Sequence, residues 1–470
     1  MAVWLHLCVW QRGCGTLKHT PKEYKPMRLC SKLLLIILLA VGLAVAASRF
    51  TAPTASEAKA AHFAAHDTTA YRLAPAQLDR ARSLGRLHRR MAVANTVWSL
   101  AGLWLILATG LATWMQGVAV RLSKNHWVQG SGFVFLLLGA IHLLDLPLGI
   151  YGHHVAVSYG LSVQHWSGWL ADRAKTFALE WFFGGLLAML VLLIIRRSPT
   201  RWWFWLWIPS ALILVATVFV SPYVFDPLFN QFEPLARSNP ALVARLEQVV
   251  ARAGIAIPPE RMFLMKASAK STTLNAYVTG FGTSKRVVVW DTTVARATPD
   301  EISFIFAHEM GHYVLGHIVL GVGLTCVALL PLFWLAFHVE HWLLARYSAA
   351  WGIASQQNWA TLVVLLLVLF SMNTLAEPIA NGFSRVIEHN ADVYGEEAVR
   401  GIVADPQRTA QQAFQRLGED SLDDPDAHPI YEIWFYTHPS ISYRAAFAEA
   451  YDPWSAGHRA TGQGPKYFSK

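Results

Sequence analysis

Of 470 residues, 54% are hydrophobic and only 15% charged, a balance that excludes a soluble globular chain and points to a polypeptide crossing a membrane several times. The formal net charge of +9 comes from basic residues in short loops such as Arg196 to Arg201 and around Arg80 to Arg90, the pattern of residues flanking membrane spans and not of a nucleic-acid surface. Four cysteines, none in a CxxC pair, imply neither a disulfide framework nor a thiolate metal site.

Seven stretches are candidates to cross about 30 Å of hydrocarbon: Leu33–Ala47, Ala92–Val120, Gly132–Tyr151, Phe177–Ile195, Trp203–Phe225, Leu315–Phe337 and Thr361–Ala376. The first follows a basic segment, residues 1–32, and ends in LAVAAS, so signal anchor and cleaved signal peptide are both open, as is a start at Met27. Residues 33–226 then form a five-span block, residues 227–450 a second portion with the last two spans, and residues 451–470 a tail. Loops on both sides carry Lys and Arg, so charge alone does not orient the chain.

The stretch between the fifth and sixth spans is polar. It opens with a helical pattern, NPALVARLEQVVARAGI, that ends at Gly254 and the Pro258-Pro259 pair. RMFLMKAS and KRVVVWDTT read as strands from their β-branched and aromatic content, separated by the turn-rich NAYVTGFGTS. Then TPDEISFIFAHEMGH carries a helix start, with Thr298 as N-cap, Pro299 at the first position, and Asp300 and Glu301 in the first turn.

On that helix His308 and His312 stand one turn apart and can reach a single ion, with Glu309 beside them. A zinc ion held by neutral imidazoles acidifies water, and an adjacent carboxylate can take the proton as the oxygen attacks a carbonyl. Catalytic zinc needs a third protein ligand. Beyond the seventh span, in NGFSRVIEHNADVYGEEA, Glu388 and Asp392 lie one helical turn apart, so Glu388 can ligate while Asp392 braces a ligand histidine. Taken singly, histidines at a span end also serve as interfacial anchors, and a carboxylate pair at this spacing is also a solvated face. Two intervening spans, however, return the chain to the same side of the membrane, and a hairpin of two helices brings the clusters together. His317, five residues after His312, falls off the ligand face at helical pitch.

With these motifs the chain resembles the type I CAAX prenyl endopeptidases, integral-membrane zinc metalloproteases of the gluzincin kind. The resemblance rests on HEMGH and the HYVLGH that follows, on SRVIEHNAD, NAYVTGFGTSKRVVVWDT and THPSISYR, and in the membrane part on YGLSVQHWSGWLADRAK, RRSPTRWWFWLW and SPYVFDPLFNQFEPL. It runs from the second span to about Ala450. It implies a mainly α, multi-span fold of about seven transmembrane helices enclosing a water-filled chamber, with a zinc protease domain carrying a small β-sheet. One zinc per chain would be held by His308, His312 and Glu388, with Glu309 as general base and Asp392 supporting a ligand. His438 and Arg444 would face the metal and stabilise the oxyanion, and Asn275 and Ala276 would form an edge strand clamping extended substrate. The partners implied are the lipid bilayer and a peptide or protein substrate, lipidated or hydrophobic, but not nucleic acid; the chain is expected to be a monomer. Eukaryotic relatives carry a long charged insertion where this chain has only DTTVARATPDEISFIFAHEMGH. A prokaryotic member is therefore expected, in a bacterial inner membrane with its catalytic side cytoplasmic, which puts the prenyl part of the family name in question.

Other ionisable residues have blander alternatives. His142, Asp145 and Glu180 fall within spans, where a charge at mid-bilayer costs about 2.5–3.5 kcal/mol; lining a chamber is one alternative, and pairing inside the bundle or interfacial placement is an equal one. His153 and His154 read as interfacial residues, and Asp291 as a turn or capping residue. Competing functions are a quality-control protease resembling HtpX, which has fewer spans, and a site-2 protease, whose LDG-type aspartate follows HExxH whereas LDLPLG here precedes it. Di-iron desaturases need HxxHH boxes that this chain lacks. The non-enzymatic alternative is a channel or receptor whose ionisable residues line a pore, which would be indifferent to Glu309→Gln.

Overall fold

The computed structural model describes residues 53–67, 69–280, 285–455 and 464–468, all within one compact unit, Pro53–Lys470. The first candidate span, with its signal and start-site alternatives, lies outside the described residues. A short helix, α1 (Ala55–Ala64), opens on a capping box: Glu57 N donates to Thr54 Oγ1, and Thr54 N donates to the Glu57 carboxylate. Then come α2 (Pro75–Ala108), α3 (Leu111–Leu122), α4 (His126–Ser158), α5 (Trp166–Arg197) and α6 (Trp202–Phe229).

Among the described residues six helices are long and apolar enough to cross a membrane: α2, α4, α5 and α6, joined later by α11 (His317–Trp351) and α12 (Thr361–Ala398). One expected span is corrected. Ala92–Val120 is not a single rod, because α2 stops at Ala108 and α3 starts at Leu111 on either side of Gly110, whose φ of 74° is a left-handed conformation that side-chain-bearing residues rarely adopt. Only 6% of the apolar window of α6 is buried within the protein, and residues such as Leu212, Phe219 and Val220 face outward. Such continuous apolar cover is suited to lipid and not to water. Between the helices, Phe133, Leu192, Trp202 and Val363 belong to a buried core.

After α6 the chain forms β1 (Phe232–Pro234), α7 (Leu235–Ser238), α8 (Pro240–Arg252), β2 (Met262–Met265), β3 (Ala276–Thr279) and β4 (Arg286–Trp290). The sheet has the order β1-β2-β4-β3, with β2 and β4 parallel and the outer pairs antiparallel. Here β3 occupies part of the stretch read from sequence as a turn. Conversely, the strand pattern in KRVVVWDTT ends at Trp290, since Asp291 opens α9 (Asp291–Arg296) and its carboxylate accepts from Thr292 N and Ser268 N at 2.8 and 2.9 Å. Asp291 is thus a capping residue. The remaining helices are α10 (Pro299–Val314), α13 (Pro406–Ser421), α14 (Pro429–Phe435) and α15 (Ile441–Ala450). Val287, Val289, Phe304, Phe306, Val393 and Phe414 share the second core, which ties the sheet to α10, α12 and α13.

Candidate active site

The helix bearing the two histidines starts where its sequence dictates. Glu301 N donates to Thr298 Oγ1 at 3.3 Å and Thr298 N donates to Glu301 Oε2 at 2.6 Å, a reciprocal cap that fixes the first turn of α10. Residues Ile302 to His308 are all buried, which anchors the helix against the second core. It then crosses α12 closely at two glycines. A Cβ on Gly311 would meet Tyr394 Cδ1 at 3.0 Å, and one on Gly395 would meet the His308 backbone nitrogen at 2.9 Å, so Gly395 excludes a side chain and Gly311 admits one only if Tyr394 shifts.

That close crossing brings the carboxylates of α12 onto the histidines. His308 Nε2 lies 3.3 Å from Glu388 Oε2, and His312 Nε2 lies 3.4 Å from Glu388 Oε1. The two imidazole Nε2 atoms are 3.1 Å apart. On its other side His308 presents Nδ1 to Asp392 Oδ1 at 2.8 Å, an acceptor that favours a proton on Nδ1 and leaves the Nε2 lone pair directed at the cluster. Asp392 is held in turn by Arg444, whose Nε and Nη2 donate to its two oxygens at 2.9 and 2.6 Å, a bidentate charge-assisted pair. Glu309 Oε1 stands 4.0 Å from His308 Nε2.

Electrostatics in this pocket favour positive charge. Burial works to lower the His308 pKa, yet Asp392 and Glu388 outweigh it and hold the imidazole up at about 10. Burial raises the Glu309 carboxyl above the usual glutamate range, against the opposing pull of His308 and His312. His438 Nε2 sits 3.3 Å from Glu388 Oε2; burial pushes its pKa down, with Glu388 acting in the opposite direction.

Donor atoms of His308, His312 and Glu388 all lie within 4.8 Å of one another, and among the described residues the buried Glu388 Oε2 accepts no hydrogen bond. Two neutral imidazoles and a carboxylate, with an acceptor oxygen left over, fit a divalent cation of borderline softness.

The remaining predicted residues fall nearby with differing commitments. Arg444 is engaged with Asp392, and its Nη2 is 3.8 Å from Glu388 Oε2. The strand β3 is an outer strand of the sheet. Trp290 N donates to Asn275 O at 3.1 Å, so with Ala276 opposite Val289 the antiparallel alternation turns the main-chain groups of Ala276 and Val278 away from β4, toward the open edge. The main chain of Asn275 is already occupied: its N–H donates to Thr293 Oγ1 at 2.9 Å and its carbonyl also accepts from that hydroxyl at 2.8 Å. A cavity of about 640 Å³ adjoins the cluster, lined by Arg89, Asp423, Tyr436, His438 and Arg444 among others.

One contact was missed by sequence reasoning. His317 Nδ1 lies 3.1 Å from His312 Nδ1, although helical pitch placed it off that face. The pitch does not carry across, because Gly316 at φ 69° separates α10 from α11; the glycine in YVLGH was the available signal. In the spans, His142 Nε2 pairs with Glu180 Oε2 at 2.7 Å, and His153 is buried against Trp166 and Trp169.

Residues 236–452 match the family described as Peptidase family M48, and residues 62–231 match the CAAX prenyl protease N-terminal family of five membrane helices. A Bacillus subtilis relative named Uncharacterized metalloprotease YhfN is 30% identical over 71% of this chain and 78% of its own length. CAAX prenyl protease 1 of Saccharomyces cerevisiae is 25% identical over 78% of this chain and 84% of its own. The crystal structure of S. mikatae Ste24p shares the fold, with a TM-score of 0.70 at 22% identity over 87% of this chain and 97% of that one. Together with the clustered His308, His312 and Glu388, these likenesses establish that the chain belongs to peptidase family M48, among the CAAX prenyl proteases, as an integral-membrane metalloendopeptidase.

Proposed function

We propose that the chain is a zinc-dependent endopeptidase acting on hydrophobic or lipid-modified membrane proteins, with one ion held by His308, His312 and Glu388. The observation that carries this reading is the convergence of two imidazole Nε2 atoms and one carboxylate from two separate helices. Bound there, zinc supplies Lewis acidity and a fixed positive charge. Glu309, beside the cluster, takes a proton from the attacking water and delivers it to the leaving amine as the peptide C–N bond breaks and the new C–O bond forms. Asp392 keeps His308 in the tautomer that offers Nε2, and Arg444 holds Asp392 in place. His438, facing the same cluster, donates to the developing oxyanion.

Substrate backbone is added to the open edge of β3, where Ala276 offers its main-chain groups, with the side-chain amide of Asn275 at the head of the strand. The names of the CAAX prenyl protease relatives support a substrate carrying a lipidated carboxyl-terminal motif, and the apolar membrane part supports hydrophobic peptides more generally. We infer a monomer in a bacterial inner membrane with its catalytic side cytoplasmic, of which the bacterial relative supports the bacterial setting alone. Residues 33–226 then serve as the membrane block and 227–450 as the protease portion.

The test is a pair of variants in purified, reconstituted protein. Glu309→Gln should retain about one zinc per chain while cleavage falls by roughly 10²–10⁴-fold, whereas Glu388→Ala should lose both. A Glu309→Gln form that cleaves at the parent rate would overturn Glu309 as the general base, and a Glu388→Ala form that keeps zinc and cleavage would overturn the metal site.

A further inference from the structure

On the face of α12 away from the catalytic histidines lies a second built site, occupied by residues 464–468 of the chain itself. Both oxygens of Glu397 are used: Lys466 N donates to Oε1 at 2.6 Å, and Tyr467 N and Phe468 N donate to Oε2 at 2.7 and 3.1 Å. Tyr451 Oη adds a fourth bond to Oε1 at 2.6 Å. The Lys466 ammonium reaches Glu57 Oε1 at 2.9 Å and Asn390 Oδ1 at 3.0 Å. Glu57 and Glu397 are both 0% exposed, so these are desolvated charge-assisted bonds and not surface ion pairs. The Tyr467 and Phe468 rings lie 5.6 and 5.2 Å from that of Tyr394, and the Arg252 guanidinium lies 5.0 Å from the Phe468 ring centroid.

Tyr394 is the link to catalysis. Its Cδ1 and Cβ lie 3.0 and 3.1 Å from where a Cβ on Gly311 would be, one residue before His312, while residues 467 and 468 contact the same ring. Asn390, which receives Lys466 Nζ and Tyr467 Oη, lies between Glu388 and Asp392 in the sequence. The same five-residue segment therefore holds α12 at Asn390, within its metal-binding turn, and at Tyr394 and Glu397 just beyond it.

We propose that Lys466, Tyr467 and Phe468 are positioning residues: a latch that presses Tyr394 onto Gly311 and so sets the distance of Glu388 from His308 and His312. The proposal rests on the reading of those three as metal ligands and assigns the Glu57, Asn390 and Glu397 pocket as the receptor for a Lys-Tyr-Phe segment. Supporting residues of this kind tune metal affinity by about 10–100-fold when removed.

The experiment uses the full chain in lipid vesicles with Lys466→Met, Lys466→Arg and Phe468→Ala, and a chain ending after Gln463. Each is checked by thermal denaturation and zinc content. Expected is a tenfold or larger drop in kcat with little change in KM for Lys466→Met and Phe468→Ala, and zinc loss at a correspondingly lower chelator concentration. Lys466→Arg should stay near the parent. Adding the peptide Gly-Pro-Lys-Tyr-Phe should restore kcat of the shortened chain at a temperature where that chain is already fully folded, a gain that a merely stabilising tail would not show. Folded Lys466→Met and Phe468→Ala proteins with parental kcat and zinc retention overturn the latch, as does a folded shortened chain that the peptide leaves unchanged. Should the shortened chain fail to fold, Phe468→Ala decides alone, since it leaves every buried charge paired. Absence of zinc from the unmutated chain would instead defeat the metal-site reading itself.

Discussion

A general base must be ionised to accept a proton, and burial raises the carboxyl group of Glu309 above the range of an exposed glutamate. The sign follows directly. In the metal-free protein acidification therefore protonates Glu309 earlier than it would a free side chain, whereas a bound divalent cation opposes that rise. The carboxyl should titrate at higher pH without zinc than with it, and infrared titration of the stripped and zinc-loaded protein checks it. Asp392 permits a second test. Asp392→Asn leaves the Arg444 guanidinium buried beside a neutral amide and removes the anion facing His308 Nδ1, which should cost about 10–100-fold in metal affinity. Chelator competition measures that loss. The juxtaposition of His308 and His312 was legible because an i, i+4 pair on one helix needs only local information. The bond from Arg444 to Asp392 was not, since 52 residues separate them and only the packing of α15 against α12 brings them together.

Helices α10 and α12 approach each other through Gly311 and Gly395, and the spacing of the metal cluster is set by that crossing. Gly395→Ala places a methyl group 2.9 Å from a backbone nitrogen that cannot rotate away, so the helices must separate. Overpacking of this kind costs about 1–3 kcal/mol, and the variant should show both a lower midpoint of thermal unfolding and reduced zinc retention. By contrast, Thr298→Ala removes only the hydroxyl of a cap, for about 1 kcal/mol, with kcat preserved in the protein that remains folded. The start of α10 was readable because Thr298, Pro299 and Glu301 each carry a positional meaning. Element ends were harder. The apolar run through Ala92–Val120 hides a turn at Gly110, β-branched Thr292 and Thr293 disguise the start of α9, and Gly316 resets the pitch before His317. In each case one capping or left-handed residue outweighs the periodic pattern around it.

For the whole molecule, composition alone was enough to declare the membrane, because apolar rods this long have no place in water. Which side chains pair inside it was not readable; His142 and Glu180 meet at 2.7 Å only because α4 packs on α5. Since the metal cluster draws on two helices that otherwise leave Glu388 Oε2 without a hydrogen bond, ion binding should stabilise the folded state by mass action. Stripping the reconstituted protein with a chelator is expected to lower its unfolding temperature as well as abolish cleavage, both recovering when zinc is restored. The 38 residues of α12 run from Thr361 to Ala398 with Pro378 inside the helix, roughly 57 Å at 1.5 Å per residue, so Glu388 rides, beyond that proline, on the same helix as the apolar span. Tilting such a rod to suit a thinner or thicker bilayer displaces one jaw of the metal clamp relative to the other, which makes acyl-chain length a mechanical input to turnover: proteoliposomes of graded thickness should reveal an optimum.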